Sequence, residues 1–265
     1  MSKVIAVSNQ KGGVGKTTTS INLAACLAAA EHRVLLVDMD SQSNATTGLG
    51  IDKHETNLSV YDVITGRKQK GEPIGFSDII QPSGLIDFLD VAPATPDLAS
   101  AEIELVNVMA REKKLSAALA PIRESYDYII IDSPPSLGLL TINILTAADS
   151  VLIPIQCEYY ALEGLAELLN TIRLIQKNLN EKLVIEGVLL TMYDGRLNLC
   201  RQVAEDVRSF FTGKVFAASI NRNIKLSEAP SFGKPIILYD IMSTGAENYL
   251  NLAREIMHHE QDPKA

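Results

Sequence analysis

The sequence predicts an α/β fold: a single domain built on one twisted, mostly parallel sheet with helices on both faces. Three observations carry that expectation. Short β-branched runs alternate with helical stretches along nearly all of the 265 residues, the rhythm of strand–helix–strand units. The run 33–37 (Arg-Val-Leu-Leu-Val) is apolar almost throughout rather than alternating, as expected of a strand buried on both faces. Aspartates stand where the 33–37 and 126–131 runs end, the edge at which open parallel sheets hold their ligands.

In chain order, 3–8 reads as a strand and 17–30 as an Ala/Leu-rich helix, followed by the strand 33–37. The segment 59–65 is a short helix, and 66–75, with its Gly, Lys and Pro, a loop. A strand at 87–91 is punctuated by Pro93 and Pro96, after which 97–119 returns to helical periodicity. The strong strand 126–131 precedes a helix at 137–148, a strand at 151–155 and a long helix at 159–179. The strand 184–191 and the helix 197–211 follow, with short strands at 215–219 and 235–238 and a closing helix at 246–258. There is no internal repeat, low-complexity tract or interdomain linker, so one domain over 1–265 is expected.

Composition narrows the function. With 46% hydrophobic and 21% charged residues, disordered, collagenous and coiled-coil classes fall away. No apolar run approaches the roughly 18 residues of a membrane span. Met1-Ser2-Lys3 leads straight into Val4-Ile5-Ala6-Val7 without a cleavable leader, which predicts a cytoplasmic protein. Cys26, Cys157 and Cys200 are too scattered for a disulfide framework or metal site, and are expected to be buried free thiols. His258 and His259 read as a solvated helix end.

The net charge of −8 argues against a nucleic-acid partner only if charge is spread evenly. It is not. Residues 195–235 hold seven cations (Arg196, Arg201, Arg208, Lys214, Arg222, Lys225, Lys234) against Glu205, Asp206 and Glu228, a net of +4 that leaves −12 for the rest. A basic patch on an acidic protein is therefore possible.

The decisive segment is Gln10-Lys11-Gly12-Gly13-Val14-Gly15-Lys16-Thr17-Thr18, between the first strand and the first helix. Glycines let successive N–H groups turn inward onto phosphate oxygens, and the positive end of the following helix adds to the attraction. Lys16 is placed to reach the outer phosphates, and the Thr17 hydroxyl to complete a Mg²⁺ shell. Asp38 and Asp40 follow the 33–37 strand and Asp132 ends the Ile129-Ile130-Ile131 run. Singly, each aspartate could equally cap a helix; three around a phosphate loop point to a metal and to hydrolysis, with Asp132 as the Walker B acid.

The loop departs from the ordinary G-x-x-x-x-G-K-[ST] pattern, because Gln10 replaces the first glycine and a second lysine, Lys11, is present. Here the chain resembles the deviant Walker A ATPases, signature K-G-G-x-G-K-[ST], and among them the ParA/Soj partition ATPases and their relative MinD. The likeness extends to Ser43–Gly50, Asp132-Ser133-Pro134-Pro135, 161–165 (Ala-Leu-Glu-Gly-Leu) and 226–231 (Leu-Ser-Glu-Ala-Pro-Ser), covering roughly residues 3–255.

The resemblance implies a P-loop NTPase fold binding ATP and Mg²⁺. It assigns Lys11 to phosphates held by the other subunit of an ATP-bound homodimer, Asp40 to the attacking water, and Asp38 to magnesium and the switch region. The family usually shows proline after that second acid; Ser41 leaves the loop looser. An Ile-Pro-Arg-Asn segment lines the family's adenine pocket. Here it reads Ile220-Asn221-Arg222-Asn223, so Asn223 and Asn221 are candidate base contacts. Duplex DNA would be held without sequence preference by Arg196 and Lys225, with Arg222, Lys214 and Arg201 as weaker candidates, and the partner would be a ParB-like centromere-binding protein. With strand one at residue 3, no N-terminal helix-turn-helix domain is expected, nor sequence-specific readout.

Three other functions compete. A MinD-like membrane ATPase that positions the division site needs a basic amphipathic C-terminal helix, whereas this chain ends His258-His259-Glu260-Gln261-Asp262-Pro263 before Lys264 and Ala265. No stable membrane association is expected. A relative of the nitrogenase iron protein needs cluster-binding cysteines, and none stands near Asp132. A self-contained small-molecule kinase leaves Lys11 unexplained.

Overall fold

The computed structural model describes residues 2–158 and 163–261. Its elements are β1 (Lys3–Val7), α1 (Lys16–Ala29), β2 (Val34–Asp38), α2 (Asn44–Gly48), α3 (Val60–Thr65), β3 (Lys68–Gln69), β4 (Glu72–Pro73), α4 (Phe76–Ile79), β5 (Gln81–Pro82), β6 (Leu89–Ala92), α5 (Leu98–Glu104) and α6 (Lys114–Leu119). There follow β7 (Tyr128–Asp132), α7 (Leu139–Ala147), β8 (Ser150–Gln156), α8 (Glu163–Asn178), β9 (Val184–Tyr193), α9 (Asn198–Phe210), β10 (Val215–Asn221), α10 (Ile224–Glu228), α11 (Ile236–Tyr239) and α12 (Thr244–Gln261).

Eight strands form one sheet in the order β10-β9-β8-β1-β7-β2-β6-β5. Every pairing is parallel except the short edge strand β5 against β6. The fold is thus the α/β, mostly parallel sheet that the alternation predicts. The pleat divides the central strands between two cores. On β1, β2 and β7, Val4, Ala6, Leu35, Val37, Ile129 and Ile131 face one helical layer, with residues of α3, α5, α6, α7, α8 and α9. Ile5, Val7, Val34, Leu36, Tyr128 and Ile130 face the other, made chiefly of α1 and α12. Continuous apolar runs are what a sheet covered on both sides requires.

Three expectations need correction. The segment 235–238 is not a strand but the start of α11: Pro235 sits at its N-cap, and the Ile236 N–H donates to Asn22 Oδ1 of α1 at 2.7 Å. The segment 97–119 is not one helix. It breaks after α5 into 3₁₀ turns at Leu105–Asn107 and Arg111–Lys113, because Val108 is extended and Ala110 takes a left-handed φ of 53°. Residues 66–75 carry the small β3–β4 hairpin. The short elements α4, β5 and α10 had no periodic signal long enough to see. Of the long helix expected at 159–179, residues 159–162 lie outside the described residues, as do 161–162 of the 161–165 likeness and residues 262–265 of the tail. All three cysteines are free and buried, as expected.

Candidate nucleotide-binding site

The loop from β1 to α1 lies at the C-terminal edge of the sheet, beside β7 and β8. Gly13 and Gly15 take φ of 74° and 87°, a region that strains any residue with a Cβ. Gly15 is also the N-cap of α1, so its left-handed turn launches the helix whose N–H groups face the loop. Gly12 and Gly13 are exposed, and a Cβ on either would meet nothing within 4 Å. Val14 is buried, and its carbonyl accepts the Thr191 hydroxyl at 2.9 Å, tying the loop to β9.

The two lysines part company here. Lys16 is 6% exposed, and its ammonium donates to the Lys11 carbonyl at 3.0 Å, bracing the loop from within. Burial pushes its pKa down, against the pull of Asp132 and Asp40. The Lys11 side chain instead turns outward, 34% exposed, with Nζ 3.5 Å from Glu158 Oε2.

Adjacent strands bring Asp38 and Asp132 level with each other, and both are fully buried. Asp38 accepts the Thr46 N–H at 2.8 Å, the Thr46 hydroxyl at 2.7 Å and the Asp40 N–H at 3.1 Å. Asp132 Oδ1 accepts the Ser20 hydroxyl at 2.8 Å, while its buried Oδ2 has no hydrogen-bond partner. Burial raises both carboxyls above the usual range. The neighbouring charges of Asp38 and Asp40 raise Asp132 further, whereas the Ser20 and Thr17 hydroxyls pull it back. An orphaned carboxylate oxygen beside a second buried carboxylate and the Thr17 hydroxyl fits a hard divalent cation with oxygen ligands.

Asp40 is 7% exposed, and its Oδ1 accepts the Gln42 N–H at 3.0 Å. With Ser43 N–H on the Asp40 carbonyl at 2.9 Å and Ser43 left-handed at φ 59°, hydrogen bonds define the loop that lacks the proline.

Next to the loop opens a cavity of about 540 Å³ lined by Gly15, Thr18, Met192, Asn221, Asn223, Leu226, Pro230 and Tyr249, among others. Its apolar and amide mixture suits a heterocyclic base. Asn221 does more than replace a proline: its N–H, which proline lacks, donates to Asn248 Oδ1 at 3.0 Å. The Asn223 Oδ1 caps α10 by accepting the Lys225 N–H at 2.8 Å. Met192 holds a left-handed φ of 50° at the cavity wall, a strained backbone beside the site.

The residue types in the motifs pointed to the loop and the acids. Ser20 and Tyr249 carry no motif signal, because their partners come from distant chain: Ser20 and Asp132 are 112 residues apart, and Thr19 and Tyr249 are 230 apart. Of the basic candidates, Arg196 and Arg222 line one shallow cavity together with Asn221 and Asn223, and Lys225 stands on α10. All seven cations of 195–235 are exposed.

With this geometry in view, relatives decide the family. The chain is 60% identical to the sporulation initiation inhibitor protein Soj of Bacillus subtilis over 256 residues, covering 97% of this chain and 98% of that protein. The chain belongs to the Soj/ParA family of partition ATPases. It is also 57% identical to the chromosome partitioning protein ParA of Myxococcus xanthus, covering 96% of this chain and 88% of the relative. Residues 2–185 match a family model described as an AAA domain. A solved structure of cobyrinic acid a,c-diamide synthase from Mycobacterium smegmatis, with bound ADP and magnesium, superposes with a TM-score of 0.85 at 37% identity, covering 100% of this chain and 97% of that one.

Proposed function

We propose that this Soj/ParA member is an ATP-driven DNA partition protein, one domain that acts as a homodimer on nucleoid DNA in the cytoplasm. The observation that carries the reading is the outward Lys11. A lysine that contacts its own phosphate loop only through the backbone, while Lys16 fills the interior, holds its ammonium outside that loop in an exposed pair with Glu158, from which a phosphate can draw it. A second copy supplies that phosphate.

The fit to Mg·ATP rests on Gly12, Gly13, Val14, Gly15, Lys16, Thr17 and Thr18 for the phosphates, and on Thr17, Asp38 and Asp132 for the metal. The bound cation supplies positive charge to the terminal phosphates. Lys16 adds charge from within the loop, and Lys11 adds it from the neighbour, so charge developing on the phosphoryl oxygens is met only in the pair. Asp40 orients the attacking water, with Oδ1 fixed by Gln42 and Oδ2 left to receive a proton. Asn221 and Asn223 face the base.

Pairing doubles the basic patch of Arg196, Arg222 and Lys225, so DNA affinity follows nucleotide state through avidity. Hydrolysis, stimulated by a ParB-like partner, parts the subunits and releases the duplex. Contacts to the backbone alone make binding independent of sequence.

A MinD-like role is the weaker reading. The apolar face of α12 is already occupied: Ala246, Tyr249, Leu252, Ala253 and Ile256 are buried in the core shared with α1. No helix among the described residues is long and apolar enough to cross a membrane.

The test is retention of duplex DNA with ATP, with ADP and without nucleotide, over a salt series. Retention with ATP alone is expected, falling steeply with salt. Equal retention in all three states would overturn the switch.

A further inference from the structure

Arg196 and Lys225 each bring a carboxylate with them. Arg196 meets Asp194 in a two-point fork, Nε to Oδ1 at 2.9 Å and Nη2 to Oδ2 at 2.7 Å, and its backbone N–H donates to the same Oδ1 at 3.0 Å. Lys225 Nζ donates to Glu228 Oε2 at 3.0 Å, and the Tyr239 hydroxyl donates to that oxygen at 3.0 Å. Both cations stay open to solvent, with side chains 89% and 46% exposed. Among the described residues, the other basic side chains of 195–235 (Arg201, Arg208, Lys214, Arg222, Lys234) form no ion pair. The two cations that the resemblance places best on DNA are thus the two that carry counter-charges, while the weaker candidate Arg222 carries none among the described residues.

Exposed pairs of this kind add little to stability, so holding the fold is not what they are for. Their effect is on the surface field. A count of charge beginning at residue 195 overstates the patch, because Asp194 lies one residue outside it and is its nearest anion. The Arg196 hydrogen bonds hold the Asp194 carboxyl down at about 2, so it stays charged. Asp194 occupies the Nε/Nη2 edge of the guanidinium and leaves Nη1 facing out.

We propose that Asp194 and Glu228 are positioning counter-anions of the DNA surface: they aim Arg196 and Lys225 outward and cancel enough charge that one subunit alone holds duplex phosphate weakly. A phosphate must compete with a carboxylate for each cation, and two subunits acting together overcome that competition. This inference rests on the DNA-partition reading.

The test uses the full chain and a fluorescein-labelled random-sequence duplex, measured by anisotropy over a salt series with ADP and with ATP. The variants are Asp194→Asn, Glu228→Gln, Arg196→Ala, Lys225→Ala and the two matched double variants, each checked for an unchanged thermal melt. Asp194→Asn keeps an oxygen for the Arg196 N–H and Nε, and removes the charge together with the acceptor of Nη2. Each neutralisation is expected to tighten binding about threefold, the scale of an exposed pair. The slope of log affinity against log salt should steepen by up to about one per cation released. The gain should be largest with ADP, narrowing the difference between nucleotide states, and should vanish when Arg196→Ala or Lys225→Ala removes the matching cation. Unchanged or weaker binding would overturn the proposal, and so would a gain of equal size without the cation. Should one neutralised variant fail to fold, the other pair decides alone. If the unsubstituted chain with ATP ignores DNA, the partition reading fails and takes this inference with it; if that chain binds and neutralisation changes nothing, only the inference fails.

Discussion

At the scale of residues, the site is defined by polar atoms that the fold buries without satisfying. Asp132 has one oxygen bonded to Ser20 and one with no partner, and Asp38 lies level with it on the next strand. Without a cation, two carboxylates confined together disfavour the folded state. Asp132→Asn should therefore raise the metal-free melting temperature by a few degrees, on the order of 1 kcal/mol, while shrinking the further rise that Mg·ATP confers. Thermal denaturation with and without Mg·ATP checks both, and a metal-free melting point that falls would contradict the expected relief. Asp40 differs, since its Oδ1 is bound by Gln42 and its proposed role is toward water. Asp40→Ala should keep nucleotide binding but slow turnover at least about a hundredfold, the usual scale of general-base loss, leaving the ATP-bound pair on DNA. Phosphate release read beside nucleotide affinity separates the two; near-parental turnover would mean that another group positions the water. These acids were legible because three aspartates follow strands around one phosphate loop, where a single one could equally have capped a helix. Glu158, the partner of Lys11, was not: 147 residues separate them, and only the order of strands brings them together.

At the scale of elements, legibility tracked length and burial. The central strands were evident because a run apolar on both faces satisfies only a covered sheet, and β7 is buried at every position. Ile130, fully buried in the core that also holds α1 and α12, should cost about 2–5 kcal/mol when cut to alanine. Urea denaturation measures this as a lower midpoint with an unchanged slope, and a change under about 1 kcal/mol would mean that the helices close the gap. Short apolar runs lack this clarity. Pro-Ile-Ile-Leu at 235–238 fits a buried strand or one helical turn equally well; the deciding bond, Ile236 N–H to Asn22, comes from α1. The break in 97–119 was hidden for a related reason. Ala110 has no sequence signature for left-handed backbone, and tertiary packing sets it there. The nucleotide cavity draws on β9, β10, α10 and α12 at once, so only its Ile220–Asn223 segment was visible in advance.

At the scale of the whole molecule, the distribution of charge matters more than its sum. The chain is acidic by eight charges, yet exposed cations gather along α9 and α10 and at both ends of β10, and Arg196 and Arg222 line a cavity shared with Asn221 and Asn223. A patch this small, with two of its cations paired to carboxylates, is suited to bind DNA only when doubled. On the proposed reading, what doubles it is the pairing of subunits through the phosphate loop, with Lys11 as the group that joins them. Lys11→Ala separates association from nucleotide binding, since Lys16 and the loop glycines remain. Lys11→Ala is therefore expected to bind ATP within about threefold of the parent, because its side chain makes only an exposed pair with Glu158 in its own subunit. Light scattering with ATP should then report a single subunit where the parent reports two, and duplex retention should fall to the level of the ADP state. ATP turnover should fall as well, as the charge that stabilises the transferring phosphoryl group comes from the neighbour. Lys16→Ala serves as the contrast: it should lose nucleotide binding itself. A Lys11→Ala chain that pairs, hydrolyses and retains DNA like its parent would place the second lysine outside the mechanism.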